Sequence, residues 1–138
     1  MNGIPVEVDG VSSGMEVVAK WELVGADNAG VFYTDSNGLE MQKRELNKRP
    51  DYELVTDMQV SSNYYPVNSA IAFRDTQSTT QMTVMNDRSQ GGSVIEAGAI
   101  ELMQNRRLLF DDNRGVEEPL NETDFLGRGI EVNAKYYV

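Results

Sequence analysis

The chain has 138 residues, a formal net charge of −10, no cysteine and no histidine. That length fits one domain that buries roughly two-thirds of its unfolded surface, and the negative charge opposes binding to nucleic-acid phosphates or anionic lipid. Without cysteine or histidine there is no disulfide, no thiolate or imidazole metal ligand, and no Ser-His or Cys-His nucleophile.

The opening MNGIPVEVDG lacks the basic flank and apolar stretch of a signal peptide, so any secretory routing is expected upstream of this chain. No apolar run approaches the roughly 18 residues of a membrane span. VVAKWELV (17–24) and GVFYTD (30–35) are β-branched and aromatic runs interrupted by polar residues, as in half-buried strands. GADNAG between them is a turn cluster. Asn37-Gly38 is a strong hairpin signal, because a type I′ turn needs positive φ at both central residues. Residues 31–35 and 39–44 are therefore expected to pair antiparallel. LNKRPDYE, broken by Pro50, reads as an exposed loop.

NYYPVNSAIAFRD (63–75) reads as one strand entered through Pro66, TQSTT as a turn, and QMTVMND (81–87) as the returning strand. RSQGGSV reads as a loop whose glycines suit a sharp bend or a close backbone approach. AIELMQNRRLLF (99–110) contains good helix formers, but Ile100 and Leu102 fit strand alternation and its neighbours are strands, so a strand is expected. GIEVNAKYYV closes with another strand pattern. It stops in mid-pattern at Val138, and the expectation is a piece of something larger. Six to eight short strands with regular turn signals predict an all-β antiparallel sandwich, a single segment over residues 1–138.

Four blocks, GVFYTDSNGLEMQKR, NYYPVNSAIAFRD, TVMNDRSQGGSV and IELMQNRRLLFDDNRGVEEPLNE, resemble the C-terminal β region of glycoside hydrolase family 38, on its lysosomal α-mannosidase branch. They occur in the family's order. Asn105 stands where that branch usually has histidine, and the loop 77–80 also differs. The resemblance implies a sandwich within a larger, galactose-mutarotase-like supersandwich, in a retaining exo-α-mannosidase whose zinc, nucleophile and acid lie in a separate α/β catalytic domain. It implies lysosomal, vacuolar or secretory localisation. The expected partners are that catalytic domain and a mannose-containing glycan, with no nucleic acid and no membrane.

Candidate residues carry competing readings. Asp111 and Asp112 could be a catalytic pair, but neighbours on an extended chain point to opposite faces, whereas a retaining pair converges at roughly 5–5.5 Å. Salt bridges to Arg106, Arg107 or Arg114 are the simpler reading, making residues 106–115 an electrostatic clasp that orders a loop. Glu117, Glu118, Glu122 and Asp124 lack EF-hand spacing and read as a solvated face. DRSQGG could cradle an anion with Arg88, but lacks a P-loop ending. Of Tyr64 and Tyr65, at most one faces a site, and Trp21 reads as core. Asn121-Glu122-Thr123 is a glycosylation sequon.

The expectation is a non-catalytic domain without a catalytic residue, metal site or cofactor of its own, zinc belonging to the catalytic domain. It helps to shape the mannose cleft through Arg88, Arg114, Asp111 and Asp112. The alternative is a free-standing carbohydrate-binding or interaction module. Alone, the segment is expected to be inactive and, with an unpartnered strand edge, sticky.

Overall fold

The computed structural model of the protein describes residues 2–8, 11–55 and 57–138, the first fifteen by backbone alone. Met1, Asp9 and Gly10 of the opening decapeptide, where no signal segment is read, lie outside the described residues, as does Thr56. The described strands are β1 (Asn2–Val8), β2 (Val11–Glu22), β3 (Val31–Ser36), β4 (Glu40–Glu45), β5 (Tyr65–Val67), β6 (Ala70–Arg74), β7 (Gln81–Asn86), β8 (Gln90–Glu96), β9 (Ala99–Leu108) and β10 (Tyr136–Tyr137). They form two antiparallel sheets, and the fold is the expected all-β sandwich. The chain divides into two compact units, Met1–Ala19 with Met103–Asn133, and Lys20–Leu102 with Ala134–Val138.

In the larger unit, one sheet runs β10-β7-β6-β3-β4. The other face is built from β5, β8 and the start of β9, with Gly92 opposite both Tyr65 and Leu102. Period-2 alternation turns Phe32, Ile71, Phe73 and Val84 inward from the first sheet. Val67, Val94, Ile100 and Leu102 meet them from the second, and all eight are fully buried. Burial of each contributes roughly 1.5–3 kcal/mol. Trp21 packs at the edge of this core with its ring 4.8 Å from Tyr136, in line with the core reading.

The hairpin falls where expected. Asn37 and Gly38 have φ of 52° and 73°, the Leu39 N–H donates to the Ser36 carbonyl at 2.9 Å, and Val31 to Ser36 pair with Glu45 to Glu40. Three expectations are corrected. Residues 63–75 are two strands in different sheets, β5 and β6, separated by a bend at Asn68-Ser69. The RSQGGSV stretch is largely strand β8, with Gly91 and Gly92 paired to Pro66 and Tyr65. Gly92 serves close approach, as a Cβ there would stand 2.6 Å from Leu102 Cδ2 and 2.9 Å from Val67 Cγ2. The last run, GIEVNAKYYV, is strand only at Tyr136–Tyr137.

The bend at Asn68-Ser69 has a specific cause. Asp35, only 4% exposed, accepts N–H bonds at Oδ1 from Asn68 (2.8 Å), Ser69 (2.8 Å) and Ala70 (3.0 Å), and at Oδ2 from Gly38 (2.7 Å). Three successive N–H groups can converge on one oxygen only if the backbone turns, so Asp35 ends β5 and starts β6. Burial disfavours its charged form, but the N–H bonds from Ser69, Ala70 and Gly38 outweigh that and hold the carboxyl at about 2.

Asp35→Ala removes the charged acceptor of four backbone donors and is expected to cost about 3 kcal/mol. Asp35→Asn should cost less, since one oxygen can still serve residues 68–70 while its amide opposes Gly38. The depressed pKa contributes roughly 2 kcal/mol at neutral pH. That contribution is full above about pH 4, the unfolded value, and is lost as pH falls through about 2. Denaturant midpoints measured between pH 7 and pH 2 should fall more steeply with acid in the wild type than in Asp35→Asn.

Candidate functional site

The predicted site residues fall in both units. In the smaller unit, β9 runs out at Leu108, whose N–H donates to the Leu120 carbonyl at 3.0 Å and closes the loop between them. A concavity of about 300 Å³ in this unit is lined in part by Arg106, Asp111, Asp112 and Arg114. Phe110 and Val116 expose apolar surface on the same loop.

The expected clasp is absent. Asp111 Oδ2 accepts the Asn113 N–H at 2.7 Å and Asp112 Oδ1 accepts the Arg114 N–H at 3.0 Å. Neither carboxylate forms an ion pair among the described residues. A short aspartate reaches the N–H two residues on without ordering a long side chain, so this local turn wins over a salt bridge. Asn113 and Glu117 adopt positive φ of 57° and 59°, the left-handed positions such a tight loop needs. Arg106 reaches instead toward Glu16, at 3.9 Å. The Arg107 Nε donates to Asn121 Oδ1 at 2.7 Å, holding the exposed sequon asparagine by its oxygen.

A carboxylate clasp does exist, at a place the sequence reading passed over. Asp124, read as part of a solvated acidic face, accepts the Leu126 and Arg128 N–H groups at 2.8 and 2.9 Å. It also takes the Arg128 guanidinium through Nε at 2.9 Å and Nη2 at 2.8 Å. The Arg128 backbone bond, then the guanidinium, hold its carboxyl below the ordinary aspartate value against partial desolvation. The signal available was Asp-x-x-Gly-Arg, with Gly127 at φ 75° making the turn.

In the larger unit, Arg88 sits in the short turn between β7 and β8, with Nε 3.0 Å from Asp87 Oδ1. Asn86 pins that turn, its amide donating to the carbonyls of Val67 (3.1 Å) and Arg88. The Asn86 Oδ1 is buried and accepts no hydrogen bond, an uncommon state for a buried acceptor. Gln90 donates to the Tyr136 hydroxyl at 2.8 Å. No backbone cradle forms here, because Gly91 and Gly92 are strand residues. Tyr64 donates to Glu101, while Tyr65 stacks edge-on to Phe32 at 5.7 Å.

This donor set does not fit zinc. The chain lacks histidine and cysteine, and among the described residues no three carboxylates gather as a metal site. What the arrangement offers is hydrogen-bond donors. Among the described residues the Arg114 guanidinium forms no ion pair, and Arg88 pairs with Asp87.

Residues 7–114 match the family described as the glycosyl hydrolases family 38 C-terminal domain. The chain is 47% identical over 125 residues to lysosomal alpha-mannosidase of Bos taurus, covering 91% of this chain and 12% of that protein. To lysosomal alpha-mannosidase of Mus musculus it is 49% identical over 121 residues, covering 88% and 11%. To an alpha-mannosidase of Arabidopsis thaliana it is 43% identical over 138 residues, covering 98% and 13%. The chain thus spans a small part of the length of these relatives.

The Asp124 clasp sets a further expectation. Asp124→Ala should speed hydrogen exchange at the Leu126 and Arg128 amides without moving the core amides of β3 and β6. The lowered pKa keeps this loop ordered above the ordinary aspartate value, near pH 4, and order is lost as pH falls through the lowered value. Exchange mass spectrometry of wild type and variant checks both.

Proposed function

The chain belongs to the C-terminal domain family of the family 38 glycosyl hydrolases, and from that premise we propose that it is the non-catalytic β-domain of a retaining, zinc-dependent exo-α-mannosidase. It packs on the catalytic α/β domain of the same enzyme and forms part of the wall around the mannose-binding cleft. The observation that carries this reading is the match over residues 7–114, joined to relatives named as alpha-mannosidases. The chain's chemistry supports the division of labour. It has neither histidine nor cysteine, and Asp111 and Asp112 are each turned to a neighbouring backbone N–H. Zinc, nucleophile and acid are therefore assigned to the other domain, where zinc would grip sugar hydroxyls.

The residues proposed to face the glycan are Arg88 and Arg114, with Asp111 and Asp112 holding the Arg114 loop in shape. Guanidinium groups donate charge-assisted hydrogen bonds in a fixed fork, which suits pairs of sugar hydroxyls. Asn121 is proposed to carry an N-glycan, consistent with a secretory or lysosomal route, its exposed amide being held through the oxygen and not the nitrogen that would be glycosylated.

Arg88→Ala and Arg114→Ala in the full-length enzyme should each lower kcat/KM toward an aryl α-mannoside about tenfold or more, with Tm nearly unchanged. A lost Tm with intact kinetics would assign these arginines to structure alone. The purified 138-residue chain should show no turnover of that substrate; zinc-dependent turnover by it would refute the division of labour. In a secreted preparation, Asn121→Gln should reduce the mass by one glycan.

A further inference from the structure

We propose that the groove between β4 and the loop following it is a binding site for a tetrahedral oxyanion, the group carried by a phosphate or sulfate ester. Lys43, Arg44, Lys48 and Arg49 line it together with Pro50 and Tyr65, around a volume of about 380 Å³. Residues 43–49 carry four cations against one carboxylate in a chain whose net charge is −10. The local sign is therefore opposite to that of the molecule, and an anion is the complementary partner.

The cations are ordered before any ligand arrives. Glu45 lies 2.7 Å from both Lys43 Nζ and Lys48 Nζ, a carboxylate that competes with a ligand for the two ammonium groups. Each ammonium has three N–H donors and spends one on Glu45. Those two contacts, with Lys43 foremost, hold the Glu45 carboxyl at about 2, so it stays charged throughout the neutral range. The Arg44 guanidinium lies 4.5 Å from the Tyr65 ring centroid with Nε bonded to Thr34 Oγ1 at 3.1 Å. Its Nη1 and Nη2 make no hydrogen bond among the described residues. Arg49 lies 4.8 Å from the same centroid, anchored on the carbonyls of Lys48 and Ser62. One aromatic ring thus fixes two guanidinium groups, and fixed donors lose little further freedom on binding. An incoming dianion would relieve the mutual repulsion of four crowded cations.

Blunting of an edge strand is the simpler account of lysine on β4, the outer strand of its sheet. It explains Lys43. It does not explain Lys48 and Arg49, which lie beyond the strand, nor the stacking of both arginines on Tyr65.

The test is titration calorimetry on the full-length protein with inorganic phosphate, inorganic sulfate and a hexose phosphate, at low and at high salt. Binding should weaken with salt. Lys43→Gln/Lys48→Gln, at two exposed positions, should weaken it about tenfold or more. Glu45→Gln removes the competing carboxylate and should strengthen it about threefold or more, a sign that a purely structural ion-pair cluster would not give. A hexose phosphate bound more tightly than phosphate identifies an ester-borne group, and equal binding identifies the free anion. No phosphate or sulfate binding, binding unaltered in the double variant, or weaker binding in Glu45→Gln overturns the proposal. The site does not rest on the mannosidase reading, and turnover measured alongside separates failure of one from failure of the other.

Discussion

Asp35 sets a buried carboxylate among four backbone N–H groups that converge on it, and the larger unit is arranged around that requirement. The turn after β3 must bring the Gly38 N–H to it, and the chain between β5 and β6 must bend so that residues 68–70 point the same way. The bend sends Val67 into one face of the core and Ile71 into the other. An isolated buried charge is costly, but a carboxylate that collects four N–H bonds stays ionised and rigid. Sandwich closure and hairpin position thus share one anchor. Other buried polar groups act alike on a smaller scale. Asn28 binds the Val31 carbonyl and the Gly98 N–H, and Asn63 ties Asn47 to the Gln59 carbonyl.

The exposed loops follow the same economy with different consequences. Asp111, Asp112 and Asp75 hold their turns by accepting nearby N–H groups. Such turns demand little side-chain entropy, and they leave arginines uncommitted. Around residues 106–115 this matters, because a loop clasped by Asp–Arg pairs would have its guanidinium groups consumed. The observed loop is ordered by backbone bonds and still presents Arg114. At Asp124–Arg128 the opposite solution appears, and there the guanidinium is paired with its own loop through Nε and Nη2.

Charge is distributed unevenly over this acidic chain. Two of its arginines, Arg44 and Arg49, gather on Tyr65, where an aromatic face offers a surface that holds a guanidinium without neutralising it. In the proposed oxyanion groove Arg44 and Arg49 are held in this way, while Lys43 and Lys48 share Glu45.

Local pattern decided much of what the sequence made legible. Alternation located β3, β4, β7 and β9, and Asn37-Gly38 located the hairpin, because these depend on neighbours in the chain. Composition excluded disulfides and imidazole chemistry, and the motif blocks pointed to the family. What the sequence left unread depends on groups far apart along the chain. Residues 63–75 look continuous as a strand, and only Asp35, some thirty residues earlier, bends them. Gly91-Gly92 look like a loop until Leu102 and Val67 need the space a side chain on Gly92 would fill. Asp111 and Arg114 look like a pair, but the nearer backbone N–H takes the carboxylate. LNKRPDYE reads as an exposed loop until Tyr65 gathers Arg49 beside Arg44 of β4. Periodicity and turn chemistry are written within a few residues, whereas the partner of a buried or stacked side chain is chosen only when the sheets meet.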